Sequence, residues 1–214
     1  MDLIKDAIDF ILHLDVYLGD IISTYGTLTY AFLFVIIFFE TGFVVTPFLP
    51  GDSLLFVSGA FAALGSLNVF VLLVILSLAA VLGDTANYWI GHFFGERVLA
   101  SPRLHINKKY IADTHAFFDK HGGKTIILAR FVPIIRTFAP FVAGIGRMHY
   151  ARFLLYNATG GILWVCVGTL AGYFFGNIPF VKENFSIFVI GIVVVSLIPV
   201  ATQLLRGRRK KAPK

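Results

Sequence analysis

Apolar runs long enough to cross a bilayer alternate with polar breaks along this chain, and several breaks fall inside the runs instead of between them. In residues 2–24, Leu3, Ile4, Ala7, Ile8, Ile11 and Leu12 gather near one helical face, while Asp2, Asp6, Asp9 and Asp20 interrupt any continuous span. That pattern predicts an interfacial amphipathic helix over residues 1–26. Residues 28–65 are apolar but too long for one simple span, and Glu40, Pro47, Pro50, Gly51 and Asp52 break them. They read as a re-entrant helical hairpin. Residues 68–91 read as a true span ending in Gly83-Asp84-Thr-Ala-Asn87-Tyr88-Trp89-Ile-Gly91-His92, whose aromatic and polar residues suit a membrane interface.

The next apolar run, Thr125 to Ile145, carries Arg130, Pro133, Arg136 and Pro140. An arginine at mid-membrane costs about 2.5–3.5 kcal/mol on insertion scales, so the pair costs roughly 5–7 kcal/mol unless compensated. The prolines break the helical ladder in the same place, and freed backbone groups at membrane depth survive only inside protein or beside a wet cavity. Residues 125–148 therefore read as a second re-entrant hairpin carrying a site. Residues 153–176 and 185–205 each have the length and apolarity of a crossing.

Charge fixes the expected orientation. The polar connection 95–124 holds six Lys or Arg against three Asp or Glu, and the tail 206–214 is basic; both belong in the cytoplasm by the positive-inside rule. A full crossing at 125–148 would put that tail outside. A hairpin that enters and leaves by the cytoplasmic face keeps it inside, with Arg147, His149 and Arg152. The expected fold is an all-α polytopic membrane protein in one domain, 27–205. Its plan is an inverted repeat of two re-entrant hairpins, each followed by a transmembrane helix. The sequence trace of that repeat is faint, Phe-Val-Ser-Gly59 against Phe-Val-Ala-Gly144. Gly168, Gly172 and Gly176 share one helical face and suit close helix packing.

Composition agrees. Of 214 residues, 57% are hydrophobic and 23 are Phe, more than a soluble core of this size can hide. The start MDLIKDAIDF lacks the basic opening and small-residue cleavage pattern of a secretory signal and is expected to be retained. The net charge of +6 sits largely in a basic tail without aromatic interleaving, which marks topology or an anionic-lipid contact, not nucleic-acid binding. Cys166 is a lone cysteine in an apolar run, expected to be a buried small residue.

Four ionisable residues interrupt the hairpins: Glu40 and Asp52 in the first, Arg130 and Arg136 in the second. Opposed hairpins meeting at mid-membrane would let them neutralise one another, and an ion-pair lock is the bland reading. Asp52 follows Pro50-Gly51 and suits a helix N-terminus. Glu40, flanked by Phe38, Phe39 and Phe43, has no capping role; burial penalises its charged form, as a proton carrier requires. The arginine forks suit phosphate and cannot lose their charge. Enzyme readings fail. Gly122-Gly-Lys-Thr125 has no glycine at the start of a phosphate loop and no preceding strand; His105, His115 and His121 lack metal-ligand spacing, and neither HExxH nor GxSxG occurs. No cofactor or metal is called for, and sequence assigns no role to Asp84 or His92.

Glu40-Thr-Gly, then Pro47-Phe-Leu-Pro50-Gly51-Asp52-Ser53, then Gly122-Gly-Lys-Thr-Ile-Ile-Leu-Ala-Arg130-Phe-Val-Pro133-Ile-Ile-Arg136, with Pro140, Gly144, Asn157 and Trp164, resemble the DedA family of bacterial inner-membrane proteins. The resemblance covers essentially the whole chain. It implies two opposed re-entrant hairpins, as in VTT-domain lipid scramblases, and a proton-motive-force-linked return of undecaprenyl phosphate across the inner membrane. Glu40, Asp52, Arg130 and Arg136 match the acids and arginines held functional in that family. The expected partners are an anionic membrane lipid and protons, with Arg130 and Arg136 holding phosphate and Glu40 and Asp52 taking protons. The rivals are a cation/proton antiporter and a membrane organiser that transports nothing.

Overall fold

The computed structural model describes residues 14–43, 51–100, 108–176 and 178–183. Its elements are α1 (Leu14–Tyr25), a 3-10 turn (Gly26–Leu28), α2 (Thr29–Gly42), α3 (Gly51–Ala63), α4 (Val69–Ala100), α5 (Lys108–His121), a second 3-10 turn (Gly122–Lys124), α6 (Thr125–Ala129), α7 (Pro133–Ile145), α8 (Tyr150–Gly176) and α9 (Pro179–Glu183). Among the described residues the fold is all-helical. Three of the described stretches are long and apolar enough to cross a membrane: Val16–Gly42, Val69–Gly95 and Tyr150–Gly176.

The last two are the spans expected at 68–91 and 153–176. The first differs from expectation, because α1 leads through the 3-10 turn into α2 and joins residues assigned separately to an interfacial helix and a hairpin. With only Asp20 and Glu40 charged, the joined stretch passes on length and apolarity. The connection at 95–124 contains the end of α4 and the whole of α5. Pro47, Pro50, the crossing at 185–205 and the basic tail lie outside the described residues.

The second stretch expected to be a hairpin, 125–148, is described over its whole length, and it contains a break. α6 lasts five residues; Arg130, Phe131 and Val132 form a turn, and Pro133 opens α7. Val132 is extended, at φ −121° and ψ 104°, the conformation favoured for the residue before a proline. Pro140 does not break the chain as expected. It lies inside α7, where its missing N–H withdraws a single hydrogen bond, the one to the Arg136 carbonyl, and the helix runs on.

The helices group into two compact units. One holds Met1–Thr29, Pro50–Leu72 and Gly168–Lys214; the other holds Tyr30–Leu49 and Leu73–Val167. In the first, α3 packs on the end of α8. A Cβ on Gly172 would strike the backbone of Phe56, one on Gly176 that of Ala60, and one on Gly59 that of Thr169. The glycine face of α8 is thus a packing seam, as expected. In the second unit, α7 packs on α4 by the same device: Gly91 faces the Phe141 backbone, Gly95 faces Ile145, and Gly144 faces the Tyr88 carbonyl. Phe56–Gly172 and Ala60–Gly176 lie four residues apart in the same direction on both helices, as do Gly91–Phe141 and Gly95–Ile145, so each pair runs parallel.

The sequence of this seam repeats too. Gly91-His-Phe-Phe-Gly95 on α4 answers Gly172-Tyr-Phe-Phe-Gly176 on α8, a signal clearer than Phe-Val-Ser-Gly59 against Phe-Val-Ala-Gly144. The turns before α2 and α6 match as well. Gly26 and Gly122 have φ of 53° and 59°, and the threonines that follow, Thr29 and Thr125, are both fully buried.

Candidate functional site

The second unit buries two ion pairs. Arg130, at the break between α6 and α7, donates from Nη2 to Asp84 Oδ2 of α4 at 2.5 Å and to Asn157 Oδ1 of α8 at 2.6 Å. The side chains of Arg130 and Asp84 are 1% and 4% exposed. Arg136, one turn into α7, donates from Nη2 to Glu40 Oε1 of α2. The exposures of that pair are 13% and 2%. The expected meeting of Glu40 with an arginine is therefore present, and it is Arg136 that meets it.

Trp164 of α8 joins the two pairs. The guanidinium carbons of Arg130 and Arg136 lie 5.9 and 4.9 Å from its ring centroid, so both cations sit over one buried aromatic ring. Gly160 and Gly161 make this approach possible. A Cβ on Gly161 would come within 3.2 Å of Arg130 Nη2, and one on Gly160 within 3.3 Å of its Cδ. The amide of Asn157 turns its other end to the Val81 carbonyl at 3.0 Å, which fixes its oxygen towards Arg130. Asn87, one turn beyond Asp84, donates to the carbonyls of Thr41 at 3.3 Å and Thr137 at 2.9 Å, tying α2, α4 and α7 together.

Arg130 is not saturated by these partners. Its Nε and Nη1 are buried and have no hydrogen-bond acceptor among the described residues. Buried guanidinium donors are costly unless they meet an acceptor. The site thus offers fixed positive charge, spare donors and two carboxylates within one protein interior.

Asp52 belongs to the other unit. It is exposed in the first turn of α3, where a carboxylate suits the helix N-terminus. Gly51 begins that helix and is buried. Sequence reasoning missed Asp84, Asn87 and the pairing role of Asn157. It read the Gly83–His92 segment as a membrane interface, yet Asp84, Asn87 and Tyr88 are 3%, 0% and 2% exposed, buried against protein. The available signal was an acid and an amide three positions apart in an otherwise apolar helix, since an intramembrane acid calls for a partner. His92 lies in an aromatic cluster with Tyr88, Trp89 and Phe93, and the Tyr88 hydroxyl donates to the Met148 carbonyl. Cys166 is only half-buried. Among the described residues no group of His, Cys, Asp and Glu could hold a metal ion.

Residues 49–174 match the VTT domain family. The chain is 54% identical to Protein DedA of Escherichia coli K12 over 215 aligned residues, spanning 99% of this chain and 98% of that protein. It is 43% identical to an uncharacterized membrane protein of Mycobacterium tuberculosis H37Rv over 193 residues, 87% of this chain and 85% of the other. It is 36% identical to the inner membrane protein YqjA of Escherichia coli K12 over 151 residues, 70% and 69% of the two chains. No solved structure matches it.

Proposed function

The chain belongs to the DedA family of VTT-domain membrane proteins, and from that premise we propose that it is a proton-linked translocase for a lipid phosphate in the bacterial inner membrane. Undecaprenyl phosphate or a related anionic lipid is the cargo in this reading, the two re-entrant hairpins face each other as an inverted repeat, and the C-terminus is cytoplasmic. The observation that carries it is Arg130: a buried guanidinium, held by Asp84 and Asn157 beside the Trp164 ring, with two donor atoms that have no acceptor among the described residues. A phosphate that displaces Asp84 from Nη2 gains a fork of two parallel donors, the geometry it binds best.

Proton linkage follows from the pairing. When phosphate takes Arg130 and Arg136, the carboxylates of Asp84 and Glu40 lose their cations in a buried site. A buried unpaired carboxylate is so costly that it takes a proton instead. Asp84 thereby joins Glu40 as a proton-taking acid, and Asp52 remains a candidate in the other unit. A cation/proton antiporter is disfavoured, because two fixed arginines among the acids repel the cation it would carry.

The test is flipping of a defined lipid phosphate in proteoliposomes. Arg130→Lys and Arg136→Lys each keep the charge and lose the fork, and each is expected to slow flipping by about tenfold or more. Glu40→Gln is expected to stay folded while flipping loses its response to an imposed pH gradient. Parent-rate transport by both lysine variants would remove the phosphate clamp. A Gln variant whose flipping still follows the gradient would leave Glu40–Arg136 as a structural lock.

A further inference from the structure

A cavity of about 570 Å³ opens in the second unit, away from the two ion pairs. Its walls come from α5, the turn at Gly122, the end of α7 and the start of α8. Val142 and Ala143 form a buried apolar floor, 3% and 4% exposed, with Phe118 and Met148 beside it. His115, His149 and Arg152 form an exposed rim with no carboxylate among the lining residues. The volume lies inside the roughly 300–1,000 Å³ range of ligand pockets.

The other unit shows what this place looks like when it is filled. Counted from the turn glycines Gly26 and Gly122, Gly19 on α1 corresponds to His115 on α5. Counted from the seam glycines Gly59 and Gly144, Phe61 on α3 corresponds to Gly146 at the end of α7. Between α1 and α3 the ring of Phe61 lies against Gly19, its Cζ 3.5 Å from where a Cβ would stand. Between α5 and α7 the large side chain is absent, and both His115 and Gly146 line the cavity. Substitution at two matched positions thus removes an aromatic plug and puts His115 on the rim of the opening, beside His149 and Arg152.

We propose that this cavity is a binding site for the phosphate head and first chain segment of an anionic lipid, separate from the Arg130–Arg136 site. The rim supplies one guanidinium and two ring N–H donors for the phosphate, and the floor of Val142, Ala143, Phe118 and Met148 takes the apolar stem. The proposal rests on the function above for the identity of the ligand. Charge bias puts Arg152 and His149 on the cytoplasmic side, where a lipid phosphate would be taken up or released.

The test uses the full-length protein in an uncharged detergent with a diazirine-bearing hexadecyl phosphate as probe, and mass spectrometry to find the labelled residues. Labelling is expected between residues 142 and 152 or at Phe118, competed by unlabelled hexadecyl phosphate and not by hexadecanol or inorganic phosphate. Gly146→Phe supplies the ring that Phe61 places at the matched position, and Gly146 has φ −72°, which accepts a side chain. It is expected to lower labelling by about tenfold, and so is Arg152→Gln, an exposed position where folding is not at stake. Arg136→Lys should leave it intact, so a failure of transport and a failure of this site are told apart. Unchanged labelling in both variants, or equal competition by hexadecanol, would overturn the site. Competition by inorganic phosphate as strong as by hexadecyl phosphate would overturn the lipid as its ligand.

Discussion

The Asp84–Arg130 pair sets the largest energy at the level of single residues. Removing one partner of a buried ion pair leaves the other charge stranded and costs about 3–5 kcal/mol, whereas removing both is often close to neutral. Asp84→Asn should therefore lose about 3–5 kcal/mol in mixed-micelle unfolding, and adding Arg130→Gln should recover most of it. A loss under about 1 kcal/mol would mean that Asp84 does little to hold the arginine. Arg147 carries a smaller penalty. It occupies the left-handed region at φ 50°, in the position after the helix end that glycine usually takes. Arg147→Gly should stabilise the protein by about 1 kcal/mol, read from the same unfolding curves.

Between elements, glycine decides which helices can touch. Gly91 and Gly172 each meet the backbone of a facing helix, and backbone cannot give way as a flexible side-chain end can. Gly91→Ala and Gly172→Ala are each expected to cost about 1–3 kcal/mol through overpacking. Gly26 is a contrast. A Cβ there meets nothing within 4 Å, so Gly26→Ala carries only the cost of its positive φ, about 1–2 kcal/mol. If the seam variants cost no more than Gly26→Ala, the close approach of α4 to α7 and of α3 to α8 is looser than its geometry. The glycine face of α8 was legible in the sequence because its spacing is helical. The matching seam on α4 was hidden, since Gly91 and Gly95 stand among aromatic residues that suit a membrane interface.

For the whole molecule the charge pattern makes the sharpest prediction. Single cysteines near Lys120 and Arg152 should label from the cytoplasm alone, and one near Lys182 from outside alone. Labelling of positions 120 and 152 from opposite sides would make residues 125–148 a plain crossing. The sequence by itself determined the helical membrane class, two of the three candidate spans among the described residues and the break before Pro133. These follow from periodicity, insertion cost and proline geometry, which act within one stretch of chain. It assigned Pro140 a break that α7 does not contain, because a single missing hydrogen bond is outvoted by the rest of the helix. Only the tertiary structure decided the pairings: Arg136 with Glu40, Arg130 with Asp84 and Asn157, both over Trp164, and an open cavity where the matched position carries Phe61. Each joins residues far apart in sequence, and which acid meets which cation depends on helix approach distances that only the packed glycine seams fix.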